Sequence, residues 1–286
     1  MFRVGPAGNA DSFYAQGHTA SLEAPAWLHA LGLTAYEYSF GHGVALREET
    51  ALALRAEAEK YGISVSVHAP YYINFSNPAP EKRAASLDYV LRSAQRARWL
   101  GGNRVVVHTG AQQKYSREEA LARCREGLLE ALEILEQNGL NDIRLCPETM
   151  GRPGQIGDLE EVLYLCRADE RLIPCIDFAH LHALSQGALN DRAAFARVLD
   201  QAENALGWER ARRMHIHFSA IEFTQKGEKR HRTFAEEAFG PRFCHLAPEL
   251  VQRDYAPVII CESRGTQAED AVKMLAMLET AKTQNN

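Results

Sequence analysis

Residues able to bind a metal recur at the ends of short apolar stretches: His68 closes ISVSVH, His108 closes RVVVH, Glu148 closes IRLCPE, Asp177 closes IPCID, His215 lies in RRMHIH, and Glu262 closes PVIICE. Imidazole and carboxylate are natural ligands of zinc and similar divalent ions, and four or fewer protein ligands normally suffice for one ion. With His180 in IDFAHLH and His231 in TQKGEKRHRTF, the set is large enough for two or three ions that share bridging carboxylates. A single histidine at a strand end is more often a hydrogen-bonded structural residue than a ligand. The recurrence over six neighbouring segments is what argues for a site. In MHIHF, alternation puts His215 and His217 on the same face of a strand. The expectation here is His215 as ligand and His217 as a substrate contact or a neighbour that orients the ligands.

Strands that each end in such a residue must share one rim. With FRVG near residue 3 and TAYEYS near residue 36, the candidate strands number eight. Their spacing of roughly thirty to forty residues leaves room for a helix after each strand. The clearest helical pattern runs from Ser116 to Asn138, with Leu121, Cys124, Leu128, Leu132 and Leu135 on one face. Ser116 with Glu119 has the spacing of a capping box, repeated in Asp158 with Glu161 and Thr266 with Glu269. Gly62, Gly101 and Gly139 follow helical patterns, where a left-handed exit favours glycine. The pattern predicts an α/β fold, a single (β/α)8 barrel over residues 1–286, with its chemistry at the carboxyl ends of the strands. The stretch from Ser219 to about Arg242 reads as a long irregular functional loop, and the tail KTQNN as frayed.

Composition narrows the class. The chain has 286 residues, 46% of them hydrophobic, enough for one barrel domain. No stretch approaches the roughly 20 apolar residues of a membrane span, and MFRVGPAGNADSF lacks the order of a signal peptide, so a cytoplasmic protein without a membrane or an obligatory protein partner is expected. The six cysteines form no CxxC pair and read as reduced, mostly buried thiols. A net charge of -5 gives no global pull toward nucleic acid, but a site holding several cations attracts phosphate on its own account.

The strings HAPYYINFSNP (68–78), VVVHTGAQ (105–112), CPETMGRPGQIG (146–157), CIDFAHLHALSQG (175–187), MHIHFSA (214–220) and VIICES (258–263) together resemble the endonuclease IV family of apurinic/apyrimidinic endonucleases, within the xylose-isomerase-like barrels. The resemblance implies a zinc-dependent hydrolase that cuts DNA 5′ to abasic sites in base excision repair, with duplex DNA as partner. Position by position, it implies His68 and His108 on a first ion, Glu148 bridging to a second ion completed by Asp177, His215 and Glu262, and His180 with His231 on a third. Tyr71 and Tyr72 match the loop whose aromatic wedge enters the base stack.

The chain departs from the family at two places. Lys229 stands where the family has an aspartate two residues before the histidine matching His231, and an ammonium cannot bind zinc. The third ion is then weakened or absent, or the loop shifts so that Glu228 supplies the carboxylate. In EYSFGHGVALREE, only Arg47 is near the place of the family's minor-groove arginine. An alternative is a sugar isomerase or epimerase acting on a small sugar through one manganese or magnesium ion held by Glu148, Asp177, His215 and Glu262. There Glu148 and Glu262 would be the catalytic acid and base beside a carbonyl.

Overall fold

The computed structural model describes residues 2–41 and 43–285. All eight expected strands form: β1 (Arg3–Pro6), β2 (Ala35–Ser39), β3 (Ser64–His68), β4 (Arg104–Val107), β5 (Arg144–Pro147), β6 (Cys175–Asp177), β7 (His215–Phe218) and β8 (Val258–Cys261). Parallel ladders join β2 to β5 in chain order and join β6, β7, β8 and β1 in a second run. Two seams close the ring. Parallel bridges pair Leu145 with Leu172 and Glu148 with Cys175, and a third pairs Ala7 with Glu37. The result is a closed (β/α)8 barrel.

Closure depends on how near β1 comes to β2. A Cβ at Gly5 would lie 1.7 Å from the Ala35 carbonyl oxygen, so a side chain there has no room. On the shell side, Val4, Val65, Val67, Val105, Val107, Leu145, Ile176, Ile216, Phe218 and Ile259 belong to one continuous apolar core with the helices around the barrel. Inside, alternation turns every second residue toward the axis. Ala35, Val258 and Ile260 make one small apolar cluster there, and Val106, Cys146 and Cys175 make another. Above and between these plugs the inward positions become polar, and the site begins.

The expected helix forms as Arg117–Gln137, with Ser116 and Glu119 in a reciprocal capping box, and Asp158 with Glu161 does the same for Leu159–Cys166. Gly62, Gly101 and Gly139 all take positive φ at helix exits. Thr266 instead turns its hydroxyl to Asp270, so the third capping box is not made. Five cysteines are buried and Cys244 is exposed, all as free thiols. Residues 282–285 of the tail expected to fray continue the last helix, Gln267–Asn285, and its final residue, 286, lies outside the described residues. Among the described residues, no helix is long and apolar enough to cross a membrane.

The segment after β7 departs most from expectation. Over the first part of the expected irregular loop, Ala220–Thr224 and Gly227–Arg232 pair instead as an antiparallel hairpin, and residues 233–242 are the irregular remainder. Buried Ile221 and partly buried Phe223 anchor its inner face against Ala179 and Ala183. Gly5→Ala tests the closure seam: overpacking against a backbone carbonyl should cost about 3 kcal/mol. Chemical denaturation that leaves the midpoint unchanged would show that the seam gives way freely.

Candidate metal centre

Glu148 stands at the centre of the rim. His68 Nε2 lies 3.2 Å and His108 Nε2 3.0 Å from its Oε2. Its Oε1 is 3.1 Å from His217 Nδ1 and 3.6 Å from His180 Nδ1. Asp177, the last residue of β6, caps the following helix by accepting from the His180 N–H at 2.9 Å. Its other oxygen, Oδ2, is buried without a hydrogen-bond partner. Glu262 follows β8, with Oε1 3.5 Å from His217 Nδ1 and Oε2 3.9 Å from His231 Nε2.

Donor atoms within 4.8 Å of one another form four sets at this mouth: His68, His108 and Glu148; His68, His217 and Glu262; Glu148, Asp177, His217 and Glu262; and Asp177, His180 and His231; a further set, Cys175, His215 and His217, lies one inward step deeper. The sets share Glu148 and Asp177, the arrangement that bridging carboxylates require. Of the expected residues, His68, His108, Glu148, Asp177, His180, His231 and Glu262 come together.

His215 does not. The ladder pairs His215 with Cys175 and Val258, whereas His217 pairs with Asp177 and Ile260. Both imidazoles face the axis, but His215 sits one inward step deeper, against Glu37 Oε2 at 3.0 Å. The geometry thus puts His217, expected as a substrate contact or orienting neighbour, among the carboxylates, and His215, expected as a ligand, below them.

The opposite ring nitrogen of each histidine explains why it faces the centre. Nδ1–H donates to the carbonyl of Ala69 from His68 (2.7 Å), of Tyr71 from His108 (3.2 Å) and of Thr149 from His180 (2.8 Å). In His231 it donates to Ser219 Oγ at 2.7 Å. Each of these four then presents Nε2 inward. Such outer partners orient a ligand and fix its tautomer. His217 is turned the other way, with Nε2 on Glu37 Oε1 at 3.0 Å and Nδ1 inward.

Glu37, on β2, escaped the sequence reading because its strand does not end in a ligand. The available signal was a carboxylate between Tyr36 and Tyr38 in an otherwise apolar strand. It is fully buried, and Ser66 Oγ donates to its Oε2 at 2.8 Å. Burial opposes ionisation of Glu37, but the charge on His217 and the N–H groups of both histidines hold its pKa well below the usual range. Burial pushes His215 down to about 4, so it stays neutral, and the positive charge in this trio rests on His217.

The hairpin resolves the departure at Lys229. Ile221 opposes His231, Glu222 opposes Arg230 and Phe223 opposes Glu228, so Lys229 is the extra residue of a bulge. Without the bulge, residues 229 and 231 would share a face. With it, Glu228 and His231 face inward, while Lys229, Arg230 and Arg232 all pair with Glu222 on the other face. Glu228 Oε2 reaches to 3.4 Å from His180 Nε2, the geometry expected of the substitute carboxylate.

The mouth is a cavity of about 470 Å³ lined also by Tyr71, Met150, Arg152 and Gln155. Tyr71 lines the mouth and is 59% exposed, whereas Tyr72, 42% exposed, packs edge-on against Tyr71 and Tyr89 beside it. Arg47 begins the helix after β2 and does not line the mouth. His182 packs edge-on against Phe223 and lines a separate cavity.

These residues fit divalent ions. Asp177 Oδ2 and His180 Nε2 are buried and make no hydrogen bond, although His180 Nδ1 stands 3.3 Å from the first and Glu228 Oε2 3.4 Å from the second. Burial opposes protonation of His68 and His180, yet the neighbouring carboxylates raise both to about 9. Burial also raises Glu262.

A match to the model of the xylose isomerase-like TIM barrel spans residues 25–281. The chain belongs to that family. An uncharacterized protein of Methanocaldococcus jannaschii is 37% identical over 82% of this chain and 84% of its own length. A probable endonuclease 4 of Shouchella clausii is 29% identical over 65% of this chain, a match that spans 63% of the relative. Among solved structures, endonuclease IV from Thermus thermophilus superposes with a TM-score of 0.67 at 23% identity, covering 94% of this chain and 96% of that one. A D-psicose 3-epimerase does so with a TM-score of 0.66 at 16% identity, covering 92% and 94%. These likenesses show the fold.

Two outcomes follow for the isolated protein. Glu37→Gln should weaken metal retention by about 10- to 100-fold, the usual cost of losing an orienting carboxylate. Competition with a chromophoric chelator measures it, and wild-type retention would reject the orienting role. In metal-free protein, the imidazoles raised from 6.5 to about 9 contribute stability that is complete below pH 6.5 and lost as pH rises through 9. Chelator-treated protein should thus melt several degrees lower at pH 9 than at pH 6.5, whereas zinc-loaded protein should not.

Proposed function

We propose that this protein is a metal-dependent phosphodiesterase that cleaves DNA on the 5′ side of abasic sites, using two or three zinc ions. The observation that supports the reading is the surplus of donors. One ion would be served by Glu148, Asp177, His217 and Glu262, leaving His68, His108, His180 and His231 outside its ligand set. Five imidazoles and shared carboxylates suit zinc better than magnesium.

His68, His108 and one oxygen of Glu148 would hold the first ion. The second oxygen of Glu148, with Asp177, His217 and Glu262, would hold the next, and His180, His231 and Glu228 the third. Ions so placed supply an activated water and neutralise charge on a phosphodiester and its leaving oxygen. The chain's own contribution is orientation. Backbone carbonyls and Glu37 lock the imidazoles, and Tyr71 and Tyr72 offer exposed aromatic faces on which an exposed base or an abasic sugar could rest.

A second reading, a single-metal sugar epimerase, draws on Glu262. Its raised pKa suits a group that exchanges protons with carbon. Metal analysis separates the two. The purified protein should carry two or three zinc ions, Glu228→Gln should lose one, and Glu148→Gln should lower cleavage of an abasic duplex by at least about 1,000-fold while remaining folded. A single bound ion together with turnover of a ketose would reject the nuclease.

A further inference from the structure

The mouth holds Glu148, Glu228 and Glu262 and four imidazoles, and among the described residues its lining includes one arginine or lysine, Arg152. Its Nε donates to the Glu228 backbone carbonyl at 3.2 Å. The nearest carboxylate oxygen, on Glu228, is 3.9 Å from Nη2, too far for a hydrogen bond. Neither terminal nitrogen makes a hydrogen bond among the described residues, and the side chain is 55% exposed.

The backbone beneath it is held on several sides. The Glu228 N–H donates to the Gly151 carbonyl at 2.8 Å, and the Gln155 N–H to the Arg152 carbonyl at 3.0 Å. A Cβ at Gly227 would meet the Gly151 oxygen at 2.2 Å, so hairpin and loop touch backbone to backbone. A guanidinium anchored through Nε on such a loop keeps its two terminal nitrogens parallel and free. That fork matches two oxygens of a phosphate.

We propose that Arg152 is the substrate-anion clamp of this site: its fork takes the two non-bridging oxygens of a phosphodiester lying over the ions. The proposal rests on the phosphodiesterase reading and deepens it, because a neutral sugar would leave the fork unused. It also gives Glu228 a second duty. With its carboxylate on an ion and its carbonyl on Arg152 Nε, Glu228 ties the clamp to the third ion. The clamp is then correctly aimed only when hairpin and loop are docked.

The test uses full-length, metal-loaded protein, with Arg152→Gln and Arg152→Lys beside the wild type. Inorganic phosphate serves as a competitive probe and an abasic duplex as substrate. Arg152→Gln should raise KM for the duplex and the inhibition constant for phosphate by about 10-fold or more, with metal content and melting temperature unchanged. Lysine should recover part of the loss, since it restores the charge without the fork, and the duplex should bind with a shallower salt dependence in the glutamine variant. If wild type cleaves the duplex and both variants match it in KM and phosphate inhibition, the clamp is overturned while the nuclease stands. If wild type neither cleaves the duplex nor responds to phosphate, the nuclease reading falls first and takes the clamp with it. A fall in kcat alone, with KM and phosphate inhibition unchanged, also overturns the proposal.

Discussion

Negative charge buried at the end of a barrel is the constraint from which the site's other features follow. Glu37, Glu148 and Asp177 are at most 1% exposed, and each is a carboxylate in surroundings of low dielectric. Taking such groups out of water costs several kcal/mol per ion, which is recovered only through close partners. The partners here are imidazoles, and each imidazole is in turn held by a carbonyl, a hydroxyl or Glu37. The ring of histidines is therefore a counter-charge as much as a ligand set. Protons on His68 and His180 serve that purpose in the metal-free protein, and divalent ions would take it over.

The constraint reaches outward into the loops. The carbonyls that orient the histidines belong to Ala69 and Tyr71, in the turn after β3, and to Thr149, in the turn after β5, so these two βα turns do two jobs. Thr149 adds a third, exchanging hydrogen bonds with the backbone of Asp177 through its hydroxyl. The hairpin after β7 closes the rim because its bulge turns Glu228 inward and sends three cations to Glu222. A cluster with two or three ions needs this side wall; a quartet for one ion would be complete without it.

Much of the site was legible because β-structure alternates with period two. His68, His108, Glu148, Asp177 and Glu262 all lie at or just past a strand end, and inward-facing strand ends of a parallel barrel converge wherever the chain is closed. The helices were legible for the parallel reason that capping boxes and left-handed glycines are local. Height was not legible. His215 and His217 share a face, and which of them meets Asp177 depends on the register between β6 and β7, a relation between segments about forty residues apart. Glu37 was missed because its value comes from two histidines on the far side of the barrel.

The amino-acid sequence by itself determined the number of strands, the residue types at their ends and the family, since these reside in local pattern and motif. Tertiary structure alone decided which histidine joins the carboxylates, that Glu228 rather than residue 229 faces the mouth, and that Arg152 stands at its edge. The physical reason is the same in each case. Ladder register, a single-residue bulge and the docking of hairpin on loop are set by packing between distant segments, and one residue's shift in any of them turns a side chain to the opposite face.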